Sequence, residues 1–146
     1  IISSGTLFLN SVFQEVGMMR SELFIDVVDT EWCLRAQQYG FKVFLANNIY
    51  MQHSIGDQVF EDSNGQTKMM HNNFRKYFIM RNNFYLSLYS NFTLKRKIKF
   101  FLNGLFYFST VVKFDGFSIN LFTLFLRSLW DAIIKNMDSE SSDKYL

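Results

Sequence analysis

Two short motifs carry the side chains that could do chemistry. In the first, Asp29 and Glu31 lie two residues apart at the start of the helix-like run Asp29-Thr30-Glu31-Trp32-Cys33-Leu34-Arg35-Ala36. A carboxylate at a helix N-terminus stays ionised because the helix dipole favours negative charge, so it can serve as a general base toward a hydroxyl group. A purely structural role also fits, in which Asp29 caps the helix and Glu31 complements its dipole.

The second motif is His53-Ser54-Ile55-Gly56-Asp57, which follows a short β-like run. A neutral imidazole at the end of a strand can complete the coordination of a divalent cation, and that cation would neutralise a leaving diphosphate. The alternative is a histidine that is only hydrogen-bonded at the strand end, with Gly56 and Asp57 as ordinary turn residues.

Trp32 and Arg35 lie three residues apart, so they are neighbours on the surface of the same predicted helix. Trp32 fits either a platform for a bound acceptor or a core position. Arg35 fits a partner of Asp29, of Glu31 or of a phosphate group. Cys33 has the character of a small buried hydrophobe.

The elements that must position these motifs form a mixed α and β pattern over residues 1–57. Turn and cap signals divide this region into two helices and two strands. These are a helix from Asn10 that ends at Gly17, a helix over 30–39 with Asp29 as N-cap and Gly40 as C′ residue, and strands over 41–46 and 49–52.

After residue 57 the pattern becomes helical and rich in phenylalanine. Residues 58–73 are polar, with Asn64-Gly65 as a turn signal. Helices are predicted over 74–89, 94–113 and 117–135, followed by a disordered tail from 138 to 146. The second of these helices begins with the basic residues Lys95, Arg96, Lys97 and Lys99.

The late helices are too short and too interrupted to predict a membrane span, which needs roughly 20 apolar residues. Basic residues beside a phenylalanine-rich helix are typical of a helix that lies in the lipid interface. The alternative is a helical hairpin packed on its own domain.

Composition limits the possible classes of protein. The chain has 146 residues, room for about one domain, and 49% of them are hydrophobic, with 18 phenylalanines and no proline. The net charge of +2 excludes the strongly basic footprint of a nucleic-acid-binding domain, so no nucleic-acid partner is expected. A single cysteine excludes an internal disulfide.

The order of the motifs resembles the C-terminal half of family 2 glycosyltransferases. Within that family it is most similar to the bacterial rhamnosyltransferases that build O-antigen and related surface polysaccharides. The likeness covers residues 3–57 and continues weakly through Arg75-Lys76-Tyr77-Phe78 and Arg81-Asn82. It rests on Ser4-Gly5-Thr6, Glu15-Val16-Gly17, Phe24-Ile25-Asp26-Val27-Val28-Asp29-Thr30-Glu31-Trp32-Cys33-Leu34-Arg35-Ala36, Gly40-Phe41-Lys42 and His53-Ser54-Ile55-Gly56-Asp57.

The resemblance implies a fold class and a domain plan. The fold would be α/β, the acceptor-side part of a Rossmann-like GT-A glycosyltransferase domain followed by amphipathic, membrane-associating helices. Residues 1–60 would form the acceptor-side half of the catalytic domain and 61–91 a loop and connecting helix. Residues 92–137 would form the aromatic-rich helices and 138–146 the tail.

The resemblance also implies roles for individual residues. Asp29 would be the catalytic base and Glu31 would support it or bind the acceptor, although some relatives carry an acid where this chain has Val28, which leaves the choice of base open. His53 would be a diphosphate contact or a ligand of Mg²⁺ or Mn²⁺, and the metal would be held mostly by the missing N-terminal half. The acceptor would contact Ser4, Gly5, Asp26 and Trp32, and the diphosphate would contact Arg35 and Arg81.

The implied function is inverting transfer from a nucleotide-activated sugar, dTDP-L-rhamnose, to a lipid-linked saccharide on the inner face of the cytoplasmic membrane. We expect the chain to be a fragment that lacks the nucleotide-binding half and is inactive alone. Two alternatives remain: the same chemistry with another sugar such as galactofuranose or a hexose, or a non-catalytic membrane-binding remnant of a truncated glycosyltransferase.

Overall fold

The computed structural model describes residues 5–52, 58–61 and 67–138. Their contacts form two compact units. The first comprises the chain up to Arg20 together with Val28–His71, and the second comprises Ser21–Val27 together with the chain from Asn72 onward. The helices and strands are α1 (Asn10–Val16), α2 (Val28–Gln38), β1 (Gln58–Glu61), β2 (Thr67–Met70), α3 (Asn73–Tyr89), α4 (Leu94–Asp115) and α5 (Ile119–Ile133).

In the first unit, α1 and α2 share a small aromatic core. Trp32 lies at its centre, where the rings of Phe8 and Phe13 approach it with centroid distances of 4.6 and 4.7 Å. The buried members of this core are Val12, Val16, Trp32, Cys33 and Ala36. Burial of Cys33 confirms the prediction that it acts as a small hydrophobe, and the same burial raises the pKa of its thiol.

The ends of α1 and α2 follow the predicted glycine signals. Gly17 terminates α1 with a φ of 83°, and its N–H donates to the carbonyl of Phe13. Gly40 has a φ of 90°, and the N–H groups of Gly40 and Phe41 donate to the carbonyls of Gln37 and Ala36, each at 3.1 Å. This double bond pattern is a Schellman motif, which satisfies carbonyls that the helix itself leaves unpaired.

The predicted strands over 41–46 and 49–52 are wrong, because the structure has no strand in either segment. A strand needs a neighbour to pair its backbone N–H and C=O groups, and no described residue forms a ladder with these segments. Phe44, Leu45 and Tyr50 are 83, 87 and 93% exposed. Within the described residues the sheet consists of β1 and β2, antiparallel with Gln58 opposite Met70, while the predicted Asn64-Gly65 turn lies outside those residues.

In the second unit, α4 and α5 both pack on α3. The three helices lie within two residues of their predicted bounds and are therefore confirmed. The side chain of Asn72 caps α3 and that of Ser118 caps α5. The core consists of Tyr77, Phe78, Met80, Phe84, Leu124 and Ala132. The contacts thus group α3 with the two later helices, whereas the predicted domain plan separates them at residue 92.

Gly104 of α4 packs directly against the ring of Phe84 in α3. A Cβ atom at this position would lie 2.7 Å from Cε1 of Phe84. Phe84 is fully buried and has the rings of Phe101 and Phe125 at 5.6 and 5.8 Å, so it has little room to move. The absence of a side chain at Gly104 therefore sets how closely these helices pack.

We expect Gly104→Ala to destabilise the protein in chemical denaturation. Overpacking costs ~1–3 kcal/mol, which exceeds the ~1 kcal/mol that alanine gains over glycine in helix propensity. Asn103→Ala is the matched control, because Asn103 is the exposed neighbour in the same helix and gains propensity without a clash. A Gly104→Ala protein as stable as the Asn103→Ala protein would contradict this packing.

Candidate active site

Glu31 in the first turn of α2 is a buried carboxylate with two arginine partners. It is 1% exposed, and its Oε1 lies 3.2 Å from Nε of Arg20 and 3.0 Å from Nε of Arg35. Nη2 of Arg35 donates to its Oε2 at 3.2 Å. A carboxylate buried with two guanidinium partners has the compensation that burial of charge demands.

Arg35 extends this network to the end of α1. Its Nη1 donates to the carbonyl of Val16 at 2.6 Å and its Nη2 to the carbonyl of Met18 at 2.8 Å. Nε1 of Trp32 donates to the carbonyl of Gly17 at 2.8 Å. One face of α2 therefore satisfies carbonyls that α1 leaves unpaired at its C-terminus. Arg35 pairs with Glu31, one of its predicted alternatives, and contact with a diphosphate stays a prediction.

Trp32 occupies the core position that the sequence offered as one of its two alternatives. Its side chain is 1% exposed, and its indole N–H is used within the unit. The aromatic faces meet Phe8 and Phe13. Contact between Trp32 and an acceptor stays a prediction, and it would require a face that these rings now cover.

Asp29 differs from Glu31 in its access to solvent. Helix α2 begins at Val28, so Asp29 lies inside its first turn and not in the N-cap position that the sequence suggested. Its side chain is partly exposed, whereas that of Glu31 is buried. Of the two predicted catalytic carboxylates, Asp29 is therefore the one that an incoming hydroxyl group could reach.

Asp26 lies in the second unit and is held by α3. Its two carboxylate oxygens each accept a hydrogen bond of 3.0 Å from Arg75, through Nε and Nη2. The backbone of Asp26 has a φ of 60°. Phe24, two residues earlier, and Val27, the next residue, have φ values of 58° and 54°. Positive φ costs a non-glycine residue ~1–3 kcal/mol, and a β-branched residue such as Val27 rarely adopts it.

Arg81 is buried in the second unit and does not reach solvent. Its guanidinium lies 4.4 Å from the centroid of the Phe78 ring and donates to Oδ1 of Asn82 and to the carbonyl of Glu22. Burial lowers the pKa of this guanidinium, and the neighbouring side chains of Tyr77 and Asp131 partly oppose that shift. Its predicted contact with a diphosphate stays a prediction.

The other predicted site residues are incompletely described. Gly5 is exposed with a φ of 75°, and a Cβ there would lie 3.1 Å from Cε of Met51. Ser4 and His53 lie outside the described residues. Among the side chains that the structure describes, those of residues 5–52 and 71–138, no group of three His, Cys, Asp or Glu could hold a metal ion. The predicted Mg²⁺ or Mn²⁺ stays a prediction, and no step below depends on either.

Sequence reasoning missed three residues that hold the predicted site residues in place. Arg20 pairs with Glu31, Arg75 pairs with Asp26, and Asn82 binds the backbone around Asp26. The signal for Asn82 was an amide beside an arginine within an otherwise aromatic helical run. Buried amides are hydrogen-bonded as a rule, so the Arg81-Asn82 pair indicated a hydrogen-bond partner within the protein.

Comparison with known proteins finds a likeness to part of a sugar transferase. No protein-family model matches it, and no solved structure matches it. Over 85 residues, 58% of this chain, it is 48% identical to the dTDP-rhamnosyl transferase RfbF of Shigella flexneri. The chain spans 28% of the length of that relative. It is therefore similar to part of a rhamnosyltransferase.

We expect Glu31→Gln to lower the free energy of unfolding by about 3 kcal/mol, because two guanidinium groups lose their shared buried charge. The measurement is denaturant unfolding followed by tryptophan fluorescence in a Trp130→Phe background, so that the signal comes from Trp32. Glu15→Gln is the matched control, since Glu15 is an exposed carboxylate on α1. Equal stability of the two variants would show that Glu31 does not anchor α2.

Proposed function

We propose that the protein containing this chain transfers a sugar, with inversion, from dTDP-L-rhamnose to a lipid-linked saccharide in the synthesis of a bacterial surface polysaccharide. The observation that carries this proposal is the 48% identity to a dTDP-rhamnosyl transferase over 85 residues. Because the chain spans 28% of that relative, the activity is proposed for the whole protein. This chain would supply the acceptor side of a GT-A domain.

Asp29 is the proposed general base. In an inverting transfer the base takes the proton of the acceptor hydroxyl. The oxygen of that hydroxyl attacks the anomeric carbon, and the nucleoside diphosphate leaves. Two features support Asp29 in this role: its place in the first turn of α2, where the helix dipole favours a negative charge, and its partial exposure. Glu31 would support the base by fixing the helix, since its own oxygens are bound to Arg20 and Arg35.

The donor is the least constrained part of the proposal. A galactofuranose or hexose donor would use the same base and the same inversion, so the described residues favour no sugar over another. Rhamnose is proposed on the activity of the Shigella flexneri relative alone. Dependence on Mg²⁺ or Mn²⁺, with His53 as one ligand, likewise stays a prediction for the whole protein.

We also propose that α4 and α5 bind the surface of an anionic membrane. No helix among the described residues is long and apolar enough to cross a membrane. An exposed apolar stripe runs along α5 at helical spacing, through Ile119, Phe122, Leu126, Trp130 and Ile133. Such a stripe suits insertion into the headgroup region of a bilayer, where the lipid-linked acceptor would also lie.

The start of α4 adds a charge argument to this membrane proposal. Lys95, Arg96, Lys97 and Lys99 crowd its first turns, which contain no acidic residue. Positive charge is unfavourable at a helix N-terminus, and phosphate headgroups would offset it. If the protein bound membranes but transferred no sugar, this surface would instead favour the alternative of a non-catalytic membrane-binding remnant.

We expect Asp29→Asn in the whole protein to lower sugar transfer by at least about 100-fold, because general-base catalysis contributes roughly 10²–10⁴-fold. Binding of the nucleotide sugar, followed by calorimetry, should stay within about twofold. Glu15→Gln serves as a control carboxylate that should change neither quantity. Full activity of Asp29→Asn would remove Asp29 from the mechanism.

We expect replacement of Lys95, Arg96, Lys97 and Lys99 by glutamine to weaken binding to phosphatidylglycerol vesicles at least about tenfold, and to remove most of its salt dependence. Vesicle flotation measures the bound fraction, and Lys113→Gln at the other end of α4 is the control. Unchanged binding of the fourfold variant would show that apolar insertion alone holds the protein on the membrane.

A further inference from the structure

The segment Glu22–Val27 has a backbone that its own residues do not favour. Phe24, Asp26 and Val27 all have positive φ values between 54° and 60°, and none of them is glycine. Within the segment, the N–H groups of Phe24 and Ile25 donate to the carbonyls of Ser21 and Leu23. Such a conformation persists only where surrounding groups over-determine it. Side chains outside the segment must therefore hold this backbone in place.

One face of α3 supplies those groups. Nδ2 of Asn82 donates to the carbonyls of Leu23 and Ile25, each at 2.7 Å, and more weakly to that of Asp26 at 3.3 Å. Arg75 binds both carboxylate oxygens of Asp26. The ring of Phe24 packs on Phe74 and Phe78 of the same helix. Residues 74, 75, 78, 81 and 82 follow the spacing that places side chains on one face of a helix.

Arg81 fixes the orientation of the Asn82 amide. A guanidinium can only donate hydrogen bonds, so the two bonds from Arg81, at 3.2 and 2.9 Å, require the oxygen of Asn82 on that side. The amide nitrogen must then face the carbonyls of the segment. Both side chains are fully buried, so water cannot replace either of them. We name Arg75, Arg81 and Asn82 the α3 clamp.

We propose that Asn82 is a positioning residue for sugar transfer, which acts by holding Glu22–Val27 in its left-handed conformation. This inference rests on the proposed function. The segment carries Asp26, a predicted acceptor contact, and the chain continues from Val27 directly into Val28 and the proposed base Asp29. Asn82 touches no substrate in this account. Its effect reaches the reaction through the backbone that it holds.

The chain offers an unusually close control for Asn82. Asn83 is the next residue, has the same side chain and is also buried, but its Nδ2 donates to the carbonyl of Ile79 in its own helix. Asn82→Leu therefore removes the amide of the clamp, whereas Asn83→Leu removes a buried amide that does not bind the segment. A difference between these variants reports the clamp and not the general cost of an apolar substitution in α3.

The experiment measures two quantities in the whole protein: hydrogen exchange of the Phe24 and Ile25 amides, and steady-state sugar transfer. We expect Asn82→Leu to raise the exchange rates at least tenfold and to lower kcat/KM for the acceptor about tenfold, with the donor KM unchanged. Asn83→Leu should alter neither. Adding Val27→Gly to Asn82→Leu should restore part of the transfer, because glycine adopts positive φ without steric cost.

Several outcomes would overturn the proposal. Unchanged exchange in a folded Asn82→Leu protein would show that Asn82 does not hold the segment. Faster exchange with unchanged transfer, or no rescue by Val27→Gly, would show that the clamp is structural only. If Asn82→Leu fails to fold, Arg75→Gln tests the same clamp at a partly exposed ion pair, where faster exchange and slower transfer are again expected and their absence is contradictory.

The same experiment keeps this inference apart from the proposed function. A wild-type protein that transfers no sugar would overturn the proposed function together with the catalytic consequence of the clamp. The exchange rates of Asn82→Leu and Asn83→Leu would still decide whether the clamp holds the segment.

Discussion

The first unit depends on the ion pairs that the carboxylate of Glu31 makes with Arg20 and Arg35. This carboxylate is buried, and it gathers Arg20 and Arg35 around the first turn of α2. Arg35 in turn closes the end of α1 by binding the carbonyls of Val16 and Met18. Without the negative charge, two guanidinium groups would repel each other beside the aromatic core. The partly exposed Asp29 therefore lies on a helix that the buried contacts of Glu31 and Arg35 hold in place.

A second buried polar network serves the segment that precedes α2 in the chain. There the groups that need hydrogen-bond partners are backbone carbonyls. The amide of Asn82 on α3, which Arg81 orients, donates to them. Both networks follow the rule that buried polar atoms must be paired, and both hold residues that the sequence marks as functional. This distribution is typical of sites where positioning groups are as necessary as the reacting ones.

Much of the helical structure could be predicted from the sequence, because its signals are local. Gly17 and Gly40 ended α1 and α2 as expected, and the apolar periodicity of residues 74–135 predicted α3, α4 and α5 within two residues of their bounds. The absence of strands over 41–46 and 49–52 could not be predicted from local pattern alone. Strand formation depends on a pairing partner, and no described residue supplies one.

For the candidate site residues, too, the local features could be predicted from the sequence and the long-range contacts could not. The sequence identified Asp29, Glu31 and Arg35 by type and spacing, but it could not tell which carboxylate was exposed and which was buried. It also could not find Arg20, Arg75 or Asn82 as their supports, because each acts on a partner 11 to 59 residues away in the chain. Only the folded chain brings those partners together.

We propose that the protein containing this chain is a sugar transferase that uses dTDP-rhamnose. The most direct measurement is transfer by the whole protein from a panel of nucleotide sugars to a lipid-linked saccharide, each tested with and without Mg²⁺ or Mn²⁺. The account predicts transfer of rhamnose from dTDP-rhamnose in preference to every other donor. A folded protein that transfers no sugar from any donor would contradict it.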